Sequence, residues 1–232
     1  MKKHKVERLK PKVDDRQHKR KKNISRELYR RAAGLEWFTV GYNTAEAAVS
    51  IVFGGLAASI ALVGFGLDSV AETLSGAVLL WRLSVHGKVP AEEEEKIERR
   101  ATRLVGLTFL ILAGYILFES CSKLILKEAP SPSLAGIIIA AISGIVMPIL
   151  AKLKYDLGRR IGSTALVADS KETLVCSFLS YSLLLGLGAN YLFGFWWADP
   201  VTGLVITGYL VKEGIELWKG ECGDCNDKNL TK

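Results

Sequence analysis

Gly64-Phe65-Gly66-Leu67-Asp68-Ser69-Val70-Ala71-Glu72-Thr73-Leu74-Ser75-Gly76 sets two carboxylates inside an apolar run that extends from about Leu56 to Trp81. About 20 such residues suffice for a helix to cross a bilayer, so Asp68 and Glu72 are expected near mid-membrane. A charged carboxylate at that depth costs roughly 2.5–3.5 kcal/mol on insertion scales, and such groups face a cavity, a partner or a substrate. Four residues apart, the two share one helix face, with β-carbons about 5–6 Å from each other. That spacing can chelate a cation.

A second stretch, Asp169-Ser170-Lys171-Glu172-Thr173-Leu174-Val175-Cys176, lies in another apolar run from about Thr164 to Gly188. At roughly 100° per residue, Asp169, Glu172, Thr173, Cys176 and Ser180 fall on one side, and Lys171 points away. Both stretches contain Glu-Thr-Leu, at 72–74 and 172–174. A further apolar run adds Asn43 and Glu46, also near mid-depth. Buried carboxyls can be protonated and bonded to neighbouring helices as purely structural groups. Three carboxylates and a thiol at matched depth (Asp68, Glu72, Glu172 and Cys176) favour a metal site instead. Zinc accepts both donor types, usually with four ligands. Carboxylates alone also suit manganese, and the thiol tilts the set toward softer ions.

The 232 residues are 49% hydrophobic with a formal charge of +7, and the two properties are segregated. Residues 1–31 hold fourteen of the 31 Lys and Arg. A basic arm of this kind binds anionic lipid or nucleic acid, or else fixes membrane orientation as a flexible cytoplasmic segment. The last is preferred, because only Tyr29 offers the stacking surface that nucleic acid would use. No secretory signal precedes the first apolar run. Cys121, Cys176, Cys222 and Cys225 show no disulfide-framework spacing.

Hydropathy marks six spans, at about 33–55, 57–81, 102–126, 133–151, 164–188 and 195–218. The expectation is an all-α membrane protein in three parts. These are a basic cytoplasmic arm (1–31), a six-helix transmembrane domain (32–218) and a short cytoplasmic tail (219–232). Of the Lys and Arg, 28 fall on the side of the two termini, counting Lys152, Lys154, Arg159 and Arg160 in the fourth-to-fifth connection. Lys123 and Lys127 fall on the other side. Positive-inside bias then puts both termini in the cytoplasm. Trp37, Trp81 and Trp218 mark inner ends of spans, and Trp196 and Trp197 an outer end, as interfacial belts require. Glu92–Glu95 is expected to be a solvated loop or helix face. Ala140 with Gly144, and Gly54 with Gly55, would let helices pack closely.

With these residues in view, the chain resembles the membrane domain of the cation diffusion facilitator (cation efflux) family from about Gly34 to Trp218. The likeness rests on Asn43, on Ala58-Ser59-Ile60-Ala61-Leu62 leading to Asp68 and Glu72, on Ala165-Leu166-Val167-Ala168-Asp169 leading to Glu172 and Cys176, and on Asp199-Pro200. The resemblance implies a six-helix homodimer exchanging a divalent metal for protons. Its metal site takes two acids from the second helix and a His/Asp pair from the fifth. Here Glu72 replaces an Asp, Glu172 stands in the His position and Cys176 in that of the Asp. The chain also ends soon after span six, with Cys222 and Cys225 where many members continue into a cytoplasmic metallochaperone-like domain. These two thiols either collect metal or are incidental to the tail.

The expected function is therefore divalent-metal/proton antiport (efflux) across a prokaryotic inner (plasma) membrane. Zinc is the favoured cargo, with iron, manganese, cobalt or cadmium as alternatives, and no resident cofactor is expected. Asp169 would line the approach, with Asn43 and Glu46 as secondary groups. The expected partners are the bilayer, a second copy of the chain, metal and protons, with no nucleic acid. No hydrolase motif points to an enzyme. The rival is a non-transporting membrane subunit or metal sensor using the same site.

Overall fold

The computed structural model describes residues 10–56, 60–127, 134–193 and 195–220. It is all-helical: α1 (Lys10–Leu56), α2 (Ile60–Ser84), α3 (Ala91–Leu126), α4 (Leu134–Ile161), α5 (Thr164–Phe193) and α6 (Ala198–Lys219). The described residues contain no strand. Among the described residues, three stretches are long and apolar enough to cross a bilayer by length and composition: Leu62–Ser84 in α2, Ala91–Leu126, and Gly136–Ile161 in α4.

Three helix boundaries differ from the hydropathy edges for one reason: hydropathy reports apolarity, not helicity. α1 begins at Lys10 rather than near residue 33. Lys, Arg, Glu and Gln are good helix formers, and no Gly or Pro interrupts residues 12–33. The basic segment from Lys10 onward is therefore a continuation of α1. α3 starts at Ala91, so Glu92, Glu93 and Glu94 occupy its first turn, where negative charge complements the helix dipole. α4 runs on to Ile161, ten residues past the expected edge. That extension corrects the reading of Lys154 as a connection residue, because its side chain is completely buried.

Helices pack most extensively as α1 with α2, α4 with α5, and α3 with α6. The α3–α6 pair is set by Gly106 and Gly214. A β-carbon on Gly214 would come 2.9 Å from the Leu110 side chain, and one on Gly106 would come 2.9 Å from Leu217 Cβ. Small residues at such a crossing let two backbones approach. α5 touches α2, α3, α4 and α6. Its stretch Ala165–Ser170 is buried on every side, as expected of a central helix. Large apolar side chains such as Trp37, Phe118, Ile145, Val205 and Trp218 lie exposed around the outside, whereas many polar groups are inside.

At the end of the bundle where α2, α4 and α6 finish, a polar cluster ties the helices together. Arg82 of α2 pairs with Glu98 and Glu94 of α3, and His86 bonds Glu94 at 2.5 Å while stacking on Tyr29 of α1. Glu98 also accepts bonds from the Ser163 hydroxyl (2.8 Å) and the Ala165 N–H (2.9 Å). Ser163 Oγ in turn accepts from Leu166 N–H at 3.2 Å, so α5 starts on an N-cap. The preceding Gly162 has φ +70°, a left-handed conformation that glycine adopts without steric cost and that closes the α4–α5 hairpin in two residues.

Candidate metal site

The polar interior begins on α1. Glu36, Thr39, Asn43, Glu46 and Ser50 recur at alternating steps of three and four, and all five are buried. This stripe meets α2 and α4, where Glu46 reaches Ser69 and Ser143 and Glu36 reaches Lys154. On α5, Asp169, Glu172, Thr173, Cys176 and Ser180 are each no more than 1% exposed, in keeping with the helical phase of the sequence. Lys171 lies off that face and pairs with Glu213 of α6.

The four expected ligands are all buried but divide among three sets of partners. Asp68 is 3% exposed, with the Cys176 thiol beside it. Its Oδ2 is buried without a hydrogen-bond partner. Glu72, one turn along α2, lies 4.0 Å from Lys154 Nζ, and neither of its oxygens has a hydrogen-bond partner. Glu172 turns toward α3, where Oε2 accepts from Thr108 Oγ1 at 3.1 Å, and its Oε1 is unpartnered. Among the described residues, no three His, Cys, Asp or Glu side chains stand together in an arrangement that holds a metal.

The secondary groups behave differently from one another. Glu46 accepts hydrogen bonds from Ser69 (2.9 Å), from Tyr42 (3.5 Å) and from Ser143. Three hydroxyls from α1, α2 and α4 thus satisfy it. Asp169 accepts from Ser75 Oγ at 2.5 Å and from Lys154 Nζ at 2.6 Å. Asn43 is fully buried with both side-chain polar atoms unpartnered. Cys222 and Cys225 lie outside the described residues, as do Ala58 and Ser59.

Three residues of this buried polar network were not picked out by the sequence: Lys154, Glu36 and Thr108. Lys154 Nζ stands 3.4 Å from Glu36 and 3.1 Å from Thr173 Oγ1, besides its contacts with Asp169 and Glu72. A signal for Glu36 was present in the three-and-four spacing that carries on to Asn43 and Glu46. Lys154 had only the lack of a helix breaker between Pro148 and Gly158 to mark it.

Unpartnered buried carboxylate oxygens each carry a desolvation cost of about 1–3 kcal/mol or more. The arrangement offers such oxygens on Asp68, Glu72 and Glu172, with sulfur beside the first, a donor set that suits a divalent cation or protons. Asp68 also lines a cavity of about 60 Å³ with Tyr115, Glu119 and Ser120 of α3 and Ser182 of α5. Lys123 and Gly203 border it toward the end where α1 and α3 finish. A cavity of that size has room for a few water molecules.

The model of the cation efflux transmembrane domain matches residues 37–220. Transmembrane protein 163 of Xenopus laevis is 27% identical over 189 residues, covering 81% of this chain and 66% of that protein. The magnetosome protein MamB of Magnetospira sp. (strain QH-2) is 26% identical over 78% of this chain and 63% of its own length. The manganese efflux system protein MneS of Bacillus subtilis (strain 168) is 23% identical over 74% of this chain and 60% of its own. The chain thus spans about two thirds or less of these relatives.

Proposed function

Because the chain belongs to the cation efflux family, we propose that it carries a divalent metal cation across a lipid bilayer in exchange for protons. The observation that carries this reading is the buried, unpartnered oxygen of Asp68, beside the Cys176 thiol and lining a cavity with Tyr115, Glu119 and Ser182. Asp68 and Cys176 receive the ion. Glu72, one turn away, and Glu172 then complete its shell as the helices shift. Four donors of this kind suit zinc, the favoured cargo. Manganese, which the name of the Bacillus subtilis relative carries, is the leading alternative, with iron, cobalt and cadmium next. Ligands bind deprotonated, so the ion displaces protons shared among the carboxyls, and protonation from the far side releases it. Rocking of helix groups about the fixed site gives alternating access.

In this reading all six helices cross the membrane, both termini face the cytoplasm, and two copies associate through their helices in a prokaryotic inner (plasma) membrane. The supporting facts are the basic residues crowded at one end and the apolar exterior. The test is uptake of Zn2+, Mn2+, Co2+ and Cd2+ into sealed vesicles holding only the purified protein. Saturable uptake that depends on Asp68 is the expected result. Binding without any uptake would overturn transport and favour a metal-sensing membrane subunit, a reading to which the dispersed donors among the described residues give some weight.

A further inference from the structure

We infer that Lys154 is a tethered cation that holds the pathway shut between Asp68 and the basic end of the bundle, by occupying the carboxylates an arriving metal ion would need. The inference rests on the transport reading above and adds a gate to it. The Lys154 side chain is completely buried. Its ammonium lies 2.6 Å from Asp169 on α5, 3.4 Å from Glu36 on α1 and 4.0 Å from Glu72 on α2. A single residue of α4 therefore joins four helices through charge.

The contacts are unequal in a way that follows the packing. α4 with α5, and α1 with α2, are tightly packed pairs. The short contact to Asp169 lies within the first pair. The longer ones to Glu36 and Glu72 bridge from it to the second, so they are the ones that open if the pairs separate. Glu72 is also the carboxylate one helical turn from Asp68, and both of its oxygens still lack a hydrogen-bond partner. One ammonium faces three carboxyl groups in a cluster no more than 1% exposed, so it leaves oxygens that a second cation could take.

Two cavities include residues next to this contact in the chain or one helical turn from it. One holds Asp68, Tyr115, Glu119 and Ser120. The other is a groove of about 280 Å³ between α1 and α4, lined by Arg31, Leu35, Leu153, Asp156, Leu157 and Arg160. Lys154 lines neither. A metal ion at Asp68 and Cys176 competes with the ammonium for Glu72, and its passage requires Lys154 to release Glu72 and Glu36 while keeping Asp169.

The test compares wild type, Lys154→Met, Lys154→Arg and the double variant Lys154→Met/Glu36→Gln. The double variant removes one charge of each sign and so keeps the formal charge of the cluster. Zn2+ binding is measured by calorimetry in detergent, and Zn2+ uptake in sealed vesicles. Lys154→Met is expected to bind Zn2+ at least about tenfold tighter, since Glu72 is released, and to turn over at least about tenfold more slowly because release is impaired. Lys154→Arg, which keeps the charge, is expected to return both values to within about threefold of wild type. If Lys154→Met alone does not fold, the double variant is expected to bind at least about fivefold tighter than wild type. Equal or weaker binding in whichever variant folds overturns the inference, whatever the vesicles show. Wild type that binds Zn2+ but never takes it up overturns the transport reading instead, while the binding comparison still decides the competition.

Discussion

Asp68, Glu72, Glu46 and Glu172 have the same chemistry, and their neighbours give them different tasks. Glu46 receives three hydroxyl donors, whereas Asp68 has a thiol and an open oxygen. Asp68→Ala removes a proposed ligand that lines the cavity. Since loss of an outer partner alone costs about 10–100-fold in metal affinity, uptake is expected to fall by about a hundredfold or more. Vesicle assays on membrane-inserted protein check this, and wild-type rates would refute the site. Cys176→Asp exchanges sulfur for oxygen, so cadmium and zinc are expected to lose ground to manganese in competition assays. An unchanged ranking would make Cys176 a packing residue. Thr108→Val deletes the donor to Glu172 Oε2 and leaves a buried acceptor unsatisfied. It is expected to destabilise the protein by about 1–3 kcal/mol, read as a lower Tm in detergent.

α1, α3, α4 and α5 outlast the apolar segments they contain. The extension of α4 by ten residues carries Lys154 into the interior, and the stripe on α1 carries Glu36 to meet it. The i, i+4 pairs on α2 and the polar phase of α5 were legible in the sequence, because helical geometry alone decides which residues share a face. The α3–α6 contact was not, because the two helices are far apart along the chain. That contact makes a prediction of its own. Gly214→Leu places a side chain where Leu110 and the Gly106 carbonyl already stand. Overpacking of this kind costs about 1–3 kcal/mol. Thermal unfolding in detergent is expected to show it, while Gly208→Leu, at a glycine with open space around it, leaves Tm nearly unchanged.

Taken together, the six helices form a bundle of pairs with a polar interior, and the pairs are the units that transport would move. If each ion is exchanged for protons, Zn2+ entering a vesicle must drive protons out. A pH dye trapped in the lumen is then expected to report alkalinisation that tracks uptake, and a silent dye would mean transport without exchange. The all-helical class, the family and the presence of acidic residues within apolar runs were set by the sequence itself. Apolar runs of bilayer length admit few other structures, and a charge within such a run is conspicuous. Tertiary structure alone decided the partners: Asp68 with Cys176, Glu172 with Thr108, and Glu72 with a lysine that hydropathy had assigned to a connection. Which buried charge meets which depends on how separate helices rotate and slide against each other, and a periodicity confined to one helix carries no information about its neighbours.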